Sequence, residues 1–250
     1  MKKILIISLT FLFVVAGLSL ISLAEDCPII TLHYNERVPY LVTTPDGTVE
    51  GLTATPAKIA FERAGINFKW KKTPSKRQML LLERNSGCDC AVGWFKNPQR
   101  EQFARYSIPI YRDNPQIAIT RADNSSLQDG MTVDELFSQK TLLMGKKDGY
   151  SYGSFLDKKI ALHNPTVDVT VGENDQMLKK VDSKRNDYFF MSPEEAEGLI
   201  ASSGFQRKQF KIIIFPDMPI GEYRYILCSQ KVDNSVIDKL NANILTITGK

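Results

Sequence analysis

Arg100 is the side chain in this sequence best suited to hold an anion. Its planar fork pairs bidentately with a carboxylate and keeps its charge near neutral pH. It stands in the stretch Cys88 to Tyr111, CDCAVGWFKNPQREQFARYSIPIY. The run Cys90-Ala91-Val92-Gly93-Trp94 is short and apolar, bounded by Gly87 and by Lys96-Asn97-Pro98, which predicts a buried strand ending in a loop. Pro98 sits where a helix would start. Trp94, Phe95 and Arg100 therefore gather just past the carboxyl end of a strand, the place where open α/β sheets bind ligands. A helix start is a poor place for an unpaired cation, so an anion brought from outside suits Arg100 better than a surface role.

Other side chains suit the same task. Tyr34, Tyr40, Trp94 and Phe95 are candidate aromatic walls, which exclude water and stack on flat groups; core packing is the alternative for each. Gly149-Tyr150-Ser151 follows a predicted strand and precedes a predicted helix, where backbone N–H groups make an anion site. Arg77, near the start of another predicted helix, is a second candidate cation, or a solvated one. Catalysis has little support: there is no Gly-x-Ser-x-Gly, no His-Glu-x-x-His and no phosphate loop. His33 falls in a predicted strand and His163 in a polar loop. Zinc and cofactors find no ligand set, because Cys88-x-Cys90 is too tight for a knuckle.

The elements that must position these residues come from 250 residues, 43% hydrophobic and 24% charged, the composition of a folded globular chain. The net charge is +4, of which Lys2 and Lys3 supply two, too little and too scattered for nucleic acid. Residues 1–24 have a basic start, an apolar middle and Ser22-Leu23-Ala24 at the end, which predicts a signal peptide cleaved after Ala24. An uncleaved anchor is the alternative, since about 20 apolar residues span a bilayer. In an exported protein the four cysteines suggest disulfides. If the strands after Cys27 and Cys88 are parallel neighbours, both cysteines lie at strand starts. That makes Cys27–Cys88 the first pairing to expect and Cys27–Cys90 the second.

Along the chain, apolar runs and turn residues predict strands at Ile29–His33, Ile66–Lys71 and Cys90–Trp94, alternating with helices from Thr55-Pro56 to Ala64 and over Pro74–Asn85, the latter stopped by Gly87. A second alternating unit spans roughly residues 122–215. Its helices include Val133–Ser138 and Pro193–Ser202, and its strands include Asp187–Met191 and Phe210–Phe215. A strand at Tyr223–Ser229 and a helix from Asn234 to Leu245 close the chain.

The order strand, loop, Pro-x-Arg-Glu, then aromatic-Ser-x-Pro-aromatic, here Pro98, Arg100, Tyr106, Ser107, Pro109 and Tyr111, resembles the family 3 extracellular solute-binding proteins of bacteria. The resemblance covers nearly the whole chain after the leader. It implies a type II periplasmic-binding-protein fold, α/β, with two lobes joined by a two-crossing hinge near Thr120–Asp123 and Phe215–Met218. Residues 25–120 and 217–250 would form lobe 1 and residues 121–216 lobe 2. It implies a periplasmic, monomeric protein that closes on a small carboxylate-bearing solute for an ABC-type importer, with no cofactor. Arg100 would clamp the carboxylate, Tyr40 after Pro39 would touch the ligand, and Gly149–Ser151 would stand for the family's Gly-Thr-Thr-like loop. The family's ammonium-pairing aspartate falls on Met191, followed by Ser192, and neither neutralises an amine. That favours an amine-free carboxylate, or an amine held by Glu36. A sensor acting on a receptor kinase is an alternative, as is a dehydratase-like enzyme with Glu36 or Glu194 as general acid.

Overall fold

The structure, a computed structural model, describes residues 27–248. The leader read over residues 1–24 lies outside the described residues.

The chain opens with β1 (Ile30–Tyr34), then a small ribbon of β2 (Val42–Thr43) and β3 (Val49–Glu50), and α1 (Ala54–Arg63). α1 begins just before the Thr55-Pro56 pair expected to cap it. Pro56 lies in its first turn, where a missing N–H leaves no intrahelical bond unmade. β4 (Phe68–Lys72), α2 (Ser75–Arg84) and β5 (Asp89–Phe95) follow. Asn85, at φ 51°, terminates α2 instead of Gly87; a short polar side chain tolerates this left-handed turn. Then come α3 (Pro98–Glu101), β6 (Ala104–Tyr106), β7 (Tyr111–Arg112) and β8 (Ile117–Arg121).

The second half runs α4 (Val133–Ser138), β9 (Met144–Lys147), α5 (Ser154–His163), β10 (Val167–Thr170), α6 (Asn174–Asp182) and β11 (Tyr188–Met191). It ends with α7 (Pro193–Ser202), β12 (Phe210–Ile213), β13 (Tyr223–Ser229) and α8 (Asn234–Thr248). No described helix is long and apolar enough to cross a membrane.

Two sheets organise these elements. The first has the order β4-β1-β5-β13-β6, with β7 also on β13, and the second β10-β9-β11-β8-β12. β1, β4 and β5 are parallel, as strand–helix–strand crossovers require, while β13 returns antiparallel to β5. β8 pairs with β11 and β12, so it belongs to the second sheet. The chain therefore first crosses between sheets over residues 113–116, not at Thr120–Asp123, and lobe 1 stops short of residue 120. Sequence pattern misses this because β8 reads as one more apolar strand whichever sheet it joins. The return crossing lies between β12 and β13 and includes the expected Phe215–Met218.

Each sheet has its own core. Tyr34, Tyr40 and Phe61 pack with Ile237 and Leu240 of α8 beside the first sheet, and Phe137, Tyr188 and Phe190 pack beside the second. Cys27–Cys88 joins the starts of β1 and β5, the first pairing expected, and Cys90–Cys228 joins β5 to β13.

Candidate functional site

The site grows from the end of β5. Gly93 has φ 84° and sits at a break in register: Tyr225 faces Trp94, while Ile226 faces Val92. The extra residue is a bulge built on a left-handed glycine, and a Cβ there would stand 2.9 Å from the Thr53 hydroxyl. The bulge sends the Gly93 carbonyl to Arg224, whose Nη1 donates to it at 2.7 Å.

Four residues after Gly93, Asn97 caps α3 by accepting from the Arg100 N–H at 2.9 Å, with Pro98 in the first turn. This fixes Arg100, which is only 4% exposed. Its Nη1 donates to the Phe95 carbonyl at 2.9 Å and its Nη2 to the Gly149 carbonyl of the second unit at 3.0 Å. The guanidinium lies 4.7 Å from the Trp94 ring centre. Burial lowers its pKa, yet arginine remains charged. No carboxylate among the described residues bonds to it, and the rest of its fork has no protein acceptor there. Trp94 is held in turn by Gln78 of α2, which accepts its indole N–H at 3.0 Å.

The facing wall is Tyr150. Its ring lies 5.4 Å from Trp94, with the Lys147 ammonium 4.1 Å and the Arg37 guanidinium 5.9 Å from its centre. Two cavities of about 20 Å³ flank this region, both walled by Arg37, Phe95, Tyr150, Ser151 and Arg224. A larger cavity of about 460 Å³ lies outside them, between Glu36 and Lys72 on one side and Glu173 and Leu199 on the other. Arg37 lines all three, and Arg100 lines only one of the small ones.

Arg100, Trp94, Phe95, Tyr150 and Ser151 are thus brought together. Four other expected residues are not. Tyr34 is core, bonded to Thr43 at 2.9 Å and edge-on to Trp70. Tyr40 is 1% exposed and lines none of these three cavities. It is a support, donating to Asp113 at 2.9 Å, with burial holding its phenol far above the usual range. Glu36 sits on the rim of the outer cavity, bound by Thr43 and Lys72. Burial opposes its charge, but those partners outweigh burial and lower its pKa. Arg77 is exposed on α2 and lines none of these three cavities. Met191 and Ser192, by contrast, do line one inner cavity with Phe95, Tyr150 and Ser151; Met191 also packs in an apolar cluster, and the Ser192 hydroxyl is taken up by Asp113, Gln116 and Arg224.

Gly149–Ser151 differs from the expected anion cradle. The Gly149 carbonyl, not an N–H, faces Arg100. At the start of α5, Tyr152 N–H donates to Asp157 at 2.9 Å and Ser154 N–H to Glu222 at 2.7 Å. The Ser151 hydroxyl donates to Asp157 at 2.5 Å. The chain's own carboxylates therefore already use the donors of this helix terminus.

Residues 29–249 match the family described as bacterial extracellular solute-binding proteins, family 3. The protein belongs to this family. No curated protein matches it. Among solved structures it is similar to an ancestral arginine-binding protein bound to arginine, at TM-score 0.70 and 14% identity over 89% of this chain and 93% of the other. It is also similar to a structure from work on glutathione import via GshT and the cystine ABC importer TcyBC of Streptococcus mutans. There the TM-score is 0.70 and the identity 16%, over 88% and 90%. A mutant of ArgBP from T. maritima matches at TM-score 0.67 and 16% identity, over 88% and 90%. These likenesses show the type II periplasmic-binding-protein fold.

In this family 3 protein several further contacts between the two sheets rest on side chains that sequence reading did not place in the site. Arg37 binds Glu195 through two hydrogen bonds of 2.5 and 2.6 Å. Glu173 accepts from Ser75 and Asn35 across the cleft and from Lys147 at 2.6 Å. Arg224, 3% exposed, donates twice to Asp113 and once to Ser192. The sequence did carry one signal. Arg224 interrupts a strand that otherwise reads as buried, and a buried arginine needs a partner.

Proposed function

We propose that the protein captures a small carboxylate-bearing solute between its two sheet-centred lobes and presents it to an ABC-type importer. The observation that carries this reading is Arg100: a buried guanidinium, stacked on Trp94, with two carbonyl partners and no carboxylate. A buried cation is stable when an anion completes it, and a bidentate carboxylate matches the free part of the fork. Trp94 and Phe95 wall the ligand from the first lobe. Ser151, on the loop that also carries Tyr150, approaches it from the second. Tyr40 holds the hinge-side network and does not touch the ligand.

Two crossings allow the lobes to hinge, and pairs such as Arg37–Glu195 close them. The neighbour described as bound to arginine supports a solute of amino-acid size, and the one connected with TcyBC supports an ABC partner. The protein works as a periplasmic monomer after removal of residues 1–24.

A thermal-shift and calorimetric screen of the exported protein tests this. The panel holds amino acids, amine-free carboxylates, sugars and polyamines, each repeated with Arg100→Ala. A ligand at about 100 times its dissociation constant stabilises by roughly 2.7 kcal/mol. Carboxylate hits that vanish in Arg100→Ala are the expected result. Hits indifferent to Arg100, or hits only among sugars, would defeat the proposal.

A further inference from the structure

We infer that the solute is a flat, aromatic monocarboxylate without an ammonium group, and that the Tyr150 ring holds its place in the unliganded protein. This rests on the carboxylate-capture reading above and narrows it.

Charge comes first. Four cations surround the inner cavities: Arg37, Arg100, Lys147 and Arg224. Three are already matched: Arg37 by Glu195, Lys147 by Glu173 and Arg224 by Asp113. Arg100 alone bonds to no acid: Asp157 acts on it only through space and turns its oxygens to the Ser151 hydroxyl and the Tyr152 N–H, so the site lacks one bonded carboxylate. A monocarboxylate supplies it. A zwitterion brings no net charge, and its ammonium would need a carboxylate taken from an existing pair. Burying such a cation unmatched is unfavourable. The apolar side of the site offers no substitute: Met191, Phe189 and Phe190 line it as well.

Shape comes second. The inner cavities are too small for anything beyond a water molecule. A ligand at Arg100 must therefore displace a wall. Tyr150 is the wall that both cavities share and that lies against Trp94. It is half-exposed and follows Gly149 at φ 69°. Its hydroxyl bonds to no described residue, so ring contacts alone hold the side chain. Moving it away breaks no hydrogen bond and leaves a slot of one ring's size, bordered by Trp94 and by the Lys147 ammonium. Aromatic rings stack well on Trp and under a cation. A ligand ring replaces like with like, and its carboxylate reaches Arg100 beside the same indole.

Titration calorimetry with matched pairs tests both halves. The probes are 3-phenylpropionate against phenylalanine, and propionate against alanine. We expect 3-phenylpropionate to bind at least tenfold more tightly than either phenylalanine or propionate. Tyr150→Ala should raise its affinity severalfold, since the competing ring is gone. Phenylalanine binding as tightly as its amine-free partner, propionate binding as tightly as 3-phenylpropionate, or a loss of affinity in Tyr150→Ala would each overturn the inference. In those cases Arg100-dependent binding would still stand for the capture reading. If no carboxylate binds in an Arg100-dependent way, both fall.

Discussion

Arg37 and Glu195 meet across the two sheets in a paired geometry, 158 residues apart in sequence, with side chains only 10% and 3% exposed. Burial works against the Arg37 charge, but Glu195 outweighs it and raises the Arg37 pKa. The pair also partitions the site, since both residues line the outer cavity and one of the inner ones.

Truncating one partner leaves the other buried and unmatched. Arg37→Ala or Glu195→Ala should each cost about 3–5 kcal/mol in urea unfolding. Arg37→Met with Glu195→Leu should recover most of that loss. Single variants within 1 kcal/mol of the parent would show that the lobes do not close this way without ligand.

Asp113 stands in the first crossing and binds three elements at once. It accepts from Tyr40 at 2.9 Å, from Ser192 at 2.6 Å and from Arg224 at 2.6 and 2.5 Å. Asp113→Asn keeps the shape but removes the charge that matches a fully buried Arg224. A loss of about 3 kcal/mol or more is expected in chemical denaturation. An Asn variant as stable as the parent would mean that shape alone holds the crossing.

Glu173 predicts an acid-sensitive cleft. Burial opposes its charge, but Lys147 and Ser75 more than offset this and lower its pKa from the ordinary 4.5. Its contribution is therefore complete above that value and is lost as pH falls through the lowered one. Stability measured from pH 6 down to pH 3 should fall less steeply in Glu173→Gln than in the parent. Parallel curves for the two would remove Glu173 from the account.

The two disulfides should differ in both access and worth. Cys90 and Cys228 are fully buried, while Cys27 and Cys88 are only partly so. Mild reduction of the native protein, followed by alkylation and mass spectrometry, should label Cys27 and Cys88 first. Replacing either pair by alanine should cost about 2–5 kcal/mol. The pair spanning 138 residues should cost about 0.7 kcal/mol more than the pair spanning 61, on chain entropy alone. Equal labelling rates would contradict the burial difference.

Much of this protein was open to reading in one dimension. The bounds of Val133–Ser138, Pro193–Ser202 and Tyr223–Ser229 agree with the structure residue for residue. Helix period, caps and turn residues are local properties, and so is the strand-to-helix passage that places Arg100 beside Trp94. Other features depended on contacts between distant segments. Tyr34 faces the core because β1 lies between β4 and β5, and Tyr40 because its ring joins the same apolar cluster and its hydroxyl reaches Asp113. β8 joins the second sheet because β11 and β12 pair with it. The ion pairs at the cleft join residues far apart in the chain, and Gly93 bends β5 only because β13 runs alongside it. Local sequence determined what each segment becomes and that Arg100 stands beside Trp94. Tertiary structure decided which side chains share the cleft with it, because facing is set by strand pairing and by the matching of buried charges over long separations.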